Sequence, residues 1–378
     1  MTDSPSLTDL LVADFSSVLA GPLATMTLGD LGAEVIKVEP PTGDQTRSWK
    51  PPEVGDETAT YFLSVNRNKR SIALDLADPG DRRSAIELAR RADVLVDNFK
   101  PGALERFGLA PDGLRRRNPG LIHCSITGFG AEAGAATMPG YDPLVQALSG
   151  LMSITGTPES EPSKVGVALV DVIAGLGASV AILAALVARE RSGQGQRIEI
   201  DLLSSALAAL ANQASGYLNT GVVPARLGNA HPSIEPFATY TAADGPLMIC
   251  AGNDRQFAAL VGALGLPELA EDPRFRDNSA RVGHRAELRA LIESSLARDS
   301  VAGWSGRLRE AGVPAGPIND LSEAFALAHH LGIDAVDEHG GVRTVASPLG
   351  LRETPPRTRR RPPQLDEHGE EIRTWLES

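Results

Sequence analysis

One acidic residue stands where a long apolar helix is predicted to begin. The segment Val165–Val170 leads into Asp171, and almost every residue of the predicted helix Asp171–Arg189 is small or aliphatic. An ionised aspartate at this end faces the positive end of the helix dipole and backbone N–H groups that have no partner within the helix. It could be an ordinary helix N-cap, where Asp is favoured. Because it also lies at the edge of a dry interior, it is equally a candidate for a chemical role.

The histidines and cysteines offer no second reactive centre. Cys124 and Cys250 lie in apolar runs typical of strands, which predicts buried free thiols in a reducing compartment and therefore a cytoplasmic protein. No spacing of His, Cys, Asp or Glu suggests a metal site. The histidines form no triad pattern, and they are His123, His231, His284, His329, His330, His339 and His368.

Composition excludes several classes of function. The 378 residues have a net charge of −12, with 42% apolar and 22% charged residues, which describes an ordinary globular protein. A net negative charge argues against a nucleic-acid partner. For the same reason, any polyanionic ligand must bind at a local cluster of positive charge. Met1–Leu10 has no apolar core, and no export signal is expected. Val172–Ala188 carries no charge but is short for a membrane span, so we expect a buried helix and no membrane partner.

The helix of Asp171 must be positioned by an α/β framework. Leu11–Phe15 and Glu34–Glu39 are predicted strands around a helix that begins near Pro22, a βαβ unit that implies parallel pairing. The same alternation continues to a last strand in Gly195–Leu202, and it predicts a Rossmann-like sheet with helices on both faces. The Gly-x-Gly-x-x-Gly fingerprint of dinucleotide sites is absent. Further predicted elements are strands Arg70–Leu76, Val94–Asn98 and Leu121–Ile126, and helices Pro79–Arg91, Ala103–Phe107, Asp112–Arg117 and Leu203–Leu218.

The chain is predicted to form two domains. Residues 1–221, completed by 320–378, make the large α/β domain, 222–233 a linker rich in Pro, Gly and Asn, and 234–319 a smaller α+β domain. Within the last, Pro236–Asn253 predicts two strands around a turn. Three helices follow them, near Gln256–Leu264, His284–Ala297 and Val301–Ala311. The run Arg357–Arg361 in the proline-rich tail is expected to be a solvated strap or partner contact.

Across nearly its whole length the chain resembles the family III CoA-transferases, which include formyl-CoA and carnitine CoA-transferases and are related to the α-methylacyl-CoA racemases. The centre of the resemblance is the glycine-punctuated stretch Pro139–Gly156 together with Val165–Asp171. Each motif is weak alone, and their shared order is specific. The others are Ala20-Gly-Pro22, Leu31-Gly-Ala33, Val35–Glu39, Gly43-Asp44, Asn68–Ser71, Asn98-Phe99, Pro101–Leu104, Arg226–Pro232 and Gly312–Pro317.

The resemblance implies that CoA thioesters are substrates, with no bound prosthetic group, and that Asp171 attacks the thioester to form covalent aspartyl intermediates. The likeness to members that use dicarboxylates suggests succinyl-CoA as the donor. An interlaced homodimer is also implied. The same resemblance implies a set of residues that contact CoA, which are Leu19, Ala20, Leu74, Asp75, Leu76, Ala77, Asn98, Phe99, Lys100, Arg106 and Tyr141. Phosphate-binding cations are sought among Arg47, Arg67, Lys69, Arg70, Lys100 and Arg106, and substrate contacts at Arg47, Asn229 and His231.

Two other functions remain open at this point. In the racemase relatives a histidine stands where this chain has Tyr141, and tyrosine is a poor partner for two-way proton transfer because its pKa is near 10. This disfavours a racemase or isomerase. A non-catalytic CoA-binding protein would give no reason for the carboxylate of Asp171 at the mouth of an apolar helix.

Overall fold

The computed structural model describes residues 5–55, 58–132 and 134–378. The strands are β1 Leu11–Asp14, β2 Glu34–Glu39, β3 Glu53–Val54, β4 Thr58–Ala59, β5 Lys69–Ala73, β6 Val94–Asp97, β7 Ile122–Thr127, β8 Arg197–Asp201, β9 Phe237–Thr241, β10 Pro246–Cys250, β11 Ala315–Pro317, β12 Val336–His339 and β13 Val342–Val345. The helices are α1 Ala20–Asp30, α2 Thr60–Ser64, α3 Pro79–Arg91, α4 Pro111–Arg117, α5 Asp142–Leu148, α6 Leu151–Ile154, α7 Leu169–Ser192, α8 Leu202–Ala209, α9 Ala211–Thr220, α10 Asp254–Ala263, α11 Asn278–Gly283, α12 Arg285–Leu296, α13 Val301–Glu310, α14 Leu321–His330 and α15 Gly369–Glu377.

A six-stranded sheet in the order β5-β2-β1-β6-β7-β8 organises the first part of the chain, and all its pairings are parallel. In chain order these are the third, second, first, fourth, fifth and sixth strands, which is the doubly wound order of Rossmann-like folds. The predicted α/β class with a parallel sheet is confirmed. The order reverses between β1 and β6, so ligands are expected beyond the carboxyl ends of these two strands.

Alternating strand residues build a core on each face of this sheet. Val94 and Val96 pack with α1 and α7 on one face, whereas Leu95 packs with α3 and α15 on the other. The approach of α7 to α1 is close, since a Cβ added to Gly175 would lie 2.6 Å from the carbonyl oxygen of Ala20. Within the described residues, α7 is long and apolar enough to cross a membrane by length and composition alone. One face of it is buried in the core. Leu176 and Val180 are exposed, so the helix is only partly buried, whereas a buried helix was expected.

The chain divides into two compact units, and the division differs from the predicted domains in two segments. The first unit comprises 1–151, 164–222 and 333–378, and the second 152–163 and 223–332. Helix α14 therefore belongs to the second unit and not to the completion of the first. Within the second unit, β9, β10 and β11 form an antiparallel sheet, and α10, α12 and α13 pack against it around a separate core.

Three further details depart from the expectations. Helix α7 begins at Leu169 and not at Asp171, and the single helix predicted over 203–218 is two helices, α8 and α9. The hairpin of β12 and β13 was not foreseen. The arginine run of the tail is a strap within the first unit. Arg359 donates to the carbonyl oxygens of Gly29 in the last turn of α1 and of Ala33 just before β2, and Arg360 forms an ion pair with Glu34.

Candidate active site

Asp171 lies in the first turn of α7 beside a second carboxylate. The buried side chain of Asp142, the first residue of α5, accepts the backbone N–H groups of Val170 and Asp171 through Oδ2, at 2.8 and 3.1 Å. Its Oδ1 accepts from Nε2 of Gln146 at 2.5 Å. Asp142 therefore caps α7 from outside the helix, and Asp171 is not the N-cap.

The electrostatic state of Asp171 differs from the expectation that the helix dipole would hold it ionised. Burial raises the pKa of Asp171 to about 7, and the negative charge of Asp142 adds to the effect. The N–H groups that could stabilise the charge of Asp171 are engaged by Asp142. The result is a carboxylate of unusual basicity, which is typical of functional sites.

A cavity of about 110 Å³ opens at Asp171. Two loops in its wall are in direct backbone contact at Gly128 and Gly140. A Cβ added to Gly140 would lie 2.6 Å from the Cα of Gly128, so a side chain would not fit between them. Within residues 5–55, 58–132 and 134–378, no histidine lines this cavity and no group of three metal-ligating side chains exists. Of the implied CoA-contacting residues it includes Ala20, Asn98, Phe99 and Lys100.

The loops after β1 and β6 are joined where the strand order reverses. Asn98 donates to the carbonyl oxygen of Ser17 at 2.7 Å and accepts the Ser17 N–H at 2.9 Å. Val18 has a φ of 69°, a strained conformation for a β-branched residue, and its N–H is held by Asp44. Leu19 follows as the residue before α1. Asn98, which the resemblance implies as a CoA contact, thus fixes the loop that borders the site.

A second cavity of about 350 Å³ lies at the ends of β1, β2 and β5. Leu74, Asp75 and Leu76, the implied adenosine cradle, line it together with Phe99, whose ring also lines the first cavity. Ala77 is not in its lining, and its N–H binds Asp75 instead. Arg106 is exposed beside the ring of Phe107, a further lining residue, 5.7 Å from the ring centroid.

Most of the cations proposed for CoA phosphates are engaged inside the protein. Arg67 is buried against Asp30 and Lys69 against Asp14, so the phosphate-binding expectation is wrong for both. Arg70 forms ion pairs with glutamates on β2 and α15. Arg47 holds Glu39 through two hydrogen bonds of 2.7 Å and covers the ring of Phe62. Lys100 is the proposed cation that lines the cavity of Asp171.

The remaining predicted residues lie elsewhere. Tyr141 precedes α5 with 61% of its surface exposed and is not in the lining of either cavity. Asn229 and His231 are in the second unit: Asn229 donates to Thr239, and His231 accepts the N–H of Ser233.

Sequence reasoning missed three residues around Asp171, which are Asp142, Gln146 and Tyr61. Burial and the negative charges of Asp171, Asp142 and Asp44 together raise the pKa of Tyr61 to about 12, so its phenol stays protonated at neutral pH. The edge of the Trp49 ring packs against it with centroids 5.1 Å apart. Asp142 and Gln146 are four residues apart on α5, and that spacing, in which both side chains face the same way, was the available signal.

Comparisons with known proteins agree on one family. The sequence model described as CoA-transferase family III matches residues 7–369. The chain is 43% identical over 396 residues to the succinate–glutarate CoA-transferase of Agrobacterium fabrum, covering 100% of this chain and 98% of that one. It is 42% identical to the acetyl-CoA:oxalate CoA-transferase of Acetobacter aceti, covering 96% and 94%. A solved CAIB/BAIF family protein from Brucella suis is similar in structure, with a TM-score of 0.89, 42% identity and coverage of 99% and 100%.

Proposed function

The chain belongs to CoA-transferase family III and is an acyl-CoA:carboxylate CoA-transferase, and we propose that Asp171 carries CoA between succinyl-CoA and a second dicarboxylic acid. The observation that carries this proposal is the basic, half-buried carboxylate of Asp171 in a cavity that also has Lys100 in its wall. The name of the Agrobacterium relative, which pairs succinate with glutarate, supports the substrate class.

In each step of the proposed reaction one anion, a carboxylate or the CoA thiolate, attacks a carbonyl group and another anion leaves. The Asp171 carboxylate attacks the thioester carbonyl, the C–S bond breaks, and a mixed anhydride and CoA thiolate form. The thiolate then attacks the aspartyl carbonyl, releasing the first acid as its carboxylate and leaving an aspartyl-CoA thioester. The acceptor carboxylate attacks this thioester, and the released thiolate attacks the acceptor carbonyl of the new anhydride. Acceptor-CoA leaves and Asp171 is restored as a carboxylate.

This chemistry needs no proton transfer, and that distinguishes it from racemization. A racemase needs an acid and a base on opposite faces of the α-carbon. Tyr141, at the place of the racemase histidine, is mostly exposed and outside the lining of the Asp171 cavity. What the cavity offers is the carboxylate of Asp171, the nucleophile that the proposed transfer requires.

The test is to incubate the protein with a panel of acyl-CoAs and ¹³C-labelled acids, succinate, glutarate and oxalate included, and to identify the products by mass spectrometry. We expect CoA exchange with dicarboxylates, and hydroxylamine trapping on the peptide that contains Asp171. Asp171→Ala should abolish exchange while CoA affinity remains. Near-normal turnover by folded Asp171→Ala would contradict the proposal, as would deuterium entering the α-position of a 2-methylacyl-CoA in D₂O as fast as CoA transfer. A protein that binds CoA but exchanges none would be a non-catalytic binding protein.

We also propose that the active form is a homodimer. Apolar side chains on the outer face of α7 are exposed in the single chain, including Val180 at 68% and Val187 at 53%, and Leu218 on α9 reaches 78%. An apolar surface of this kind indicates a protein partner. Light scattering on dilution to nanomolar concentration should find a dimer, and an active monomer would contradict this assignment.

A further inference from the structure

We propose that Asp142 is a positioning residue that keeps Asp171 a strong nucleophile, because it occupies the backbone N–H groups at the start of α7 and places a second negative charge beside Asp171. Gln146 holds Asp142 in this arrangement. The inference rests on the proposed role of Asp171 as nucleophile.

The hydrogen bonds at the start of α7 carry the first step. A helix N-terminus normally stabilises a nearby carboxylate through its unpaired N–H groups and its dipole, and so makes that carboxylate less basic. Here Oδ2 of Asp142 accepts both the Val170 N–H and the N–H of Asp171 itself. Asp171 therefore lies in the first turn of a helix whose N–H groups at Val170 and Asp171 already bind the carboxylate of Asp142.

Gln146 links Asp142 to the segment that precedes α7. Its Nε2 donates to Oδ1 of Asp142 at 2.5 Å, and its Oε1 accepts the N–H of Val165 at 2.9 Å. Its side chain is completely buried. Because Val165 begins the segment that leads into α7, Gln146 couples the carboxylate of Asp142 to the backbone that positions Asp171.

The surroundings of Asp171 are consistent with this role. Asp142 on α5 and Tyr61 on α2 interact electrostatically with Asp171, and Lys100 lines the same cavity. Burial is the larger cause of its raised pKa of about 7, and Asp142 is the second. Tyr61 is protonated at neutral pH and contributes no charge.

The consequence for the reaction is thermodynamic. The first half of the reaction converts the Asp171 carboxylate and an acyl-CoA into an aspartyl-CoA thioester and a free carboxylate in water. Repulsion from Asp142 destabilises only the ionised reactant, since the thioester is uncharged at that atom. At a pH above both titration midpoints, removing this repulsion should lower the equilibrium ratio of thioester to free Asp171 carboxylate tenfold for each pH unit by which the titration of Asp171 moves down.

The test compares Asp142→Asn with the wild-type protein in two independent measurements. The first is the pH dependence of Asp171 esterification by a diazo reagent, quantified on its peptide without any substrate. The second is the fraction of protein that carries CoA on Asp171 after equilibration with succinyl-CoA and succinate at a fixed ratio, read by intact mass spectrometry. Asp78→Asn is the matched control, because Asp78 likewise accepts two N–H groups, at the start of α3.

We expect the esterification midpoint to fall in Asp142→Asn, with a matching tenfold loss of thioester per pH unit, and neither to change in Asp78→Asn. Asp142→Glu, which keeps the charge, should restore both, and Asp142→Ser replaces Asp142→Asn if the latter does not fold. An unchanged midpoint in a folded neutral variant would overturn the inference, as would a lower midpoint with an unchanged thioester fraction. If the wild-type protein forms no thioester on Asp171, the proposed function fails, and the esterification midpoints still decide whether Asp142 controls Asp171.

Discussion

Asp171→Asn should make the protein more stable, and the gain should grow with pH. In the folded protein the pKa of Asp171 is about 7, against an ordinary value of 3.8. Between these two values the unfolded chain is ionised at this residue while the folded chain keeps its proton. The folded state therefore binds more protons, and the stability of the wild-type protein falls as pH rises through this window.

The size of the effect follows from the gap between the two pKa values. About three pH units at about 1.4 kcal/mol each give at most about 4 kcal/mol at pH 8, and less than half of that at pH 5. Asparagine cannot ionise, so the variant avoids this loss at every pH. Solvent reaching the half-buried carboxyl group reduces the figure without changing its sign.

Urea unfolding of both proteins at pH 5, 6, 7 and 8 and at equal protein concentration would measure the difference. Equal concentration matters because a dimer's apparent stability depends on it. We expect the stability difference between variant and wild type to rise from pH 5 to pH 7 and then level off. A difference that stays constant with pH, or a variant that is less stable at pH 8, would show that the pKa of Asp171 is not raised. It would then also refute the explanation of its reactivity by burial and the charge of Asp142.

Three further predictions test the framework around the site. Gly175→Ala should destabilise the protein by about 1–3 kcal/mol in chemical unfolding, because its Cβ would meet the α1 backbone, whereas Gly113→Ala on the open side of α4 should stabilise it by about 0.5–1 kcal/mol. Lys69→Met should cost about 3–5 kcal/mol, since Asp14 would remain buried without its nearest cation, and a smaller loss would contradict the pairing. Lys100→Ala should raise the KM for succinyl-CoA several-fold in steady-state assays, and an unchanged KM would remove Lys100 from the site.

Sequence patterns predicted the elements well where the pattern is local. The bounds of β2 and α3 are as predicted. Strand β2 is indicated by alternating apolar and polar residues, and the start of α3 by a proline that follows an Asp cap, and both signals lie in adjacent residues. The start of α7 was misjudged by two residues. Capping was the alternative role considered for Asp171, and Asp142 fills it from 171 − 142 = 29 residues earlier in the chain. No local pattern reports a cap from so far away.

The cations show the same limit. Arg67 and Lys69 stand in a motif that resembles a CoA-binding family, and phosphate contact was a reasonable prediction for them. Their partners, Asp30 and Asp14, lie 37 and 55 residues away along the chain. Only the folded sheet, which brings β1 beside β2 and β2 beside β5, reveals that both charges are already neutralised.

Two aspartates of this fold show how the framework decides which carboxylate can react. Burial alone would raise the pKa of Asp14, but Lys69 and Lys37 lower it to about 2, so Asp14 is a stable anion with little basicity. Asp171 is also partly buried and has a carboxylate neighbour in place of the lysines, and its pKa rises to about 7. A cation in ion-pair contact with Asp171 would reverse this and make it as inert as Asp14. Arg47, Arg67, Lys69 and Arg70 are each paired with other carboxylates of the fold, which leaves Asp171 the basicity that the proposed attack requires.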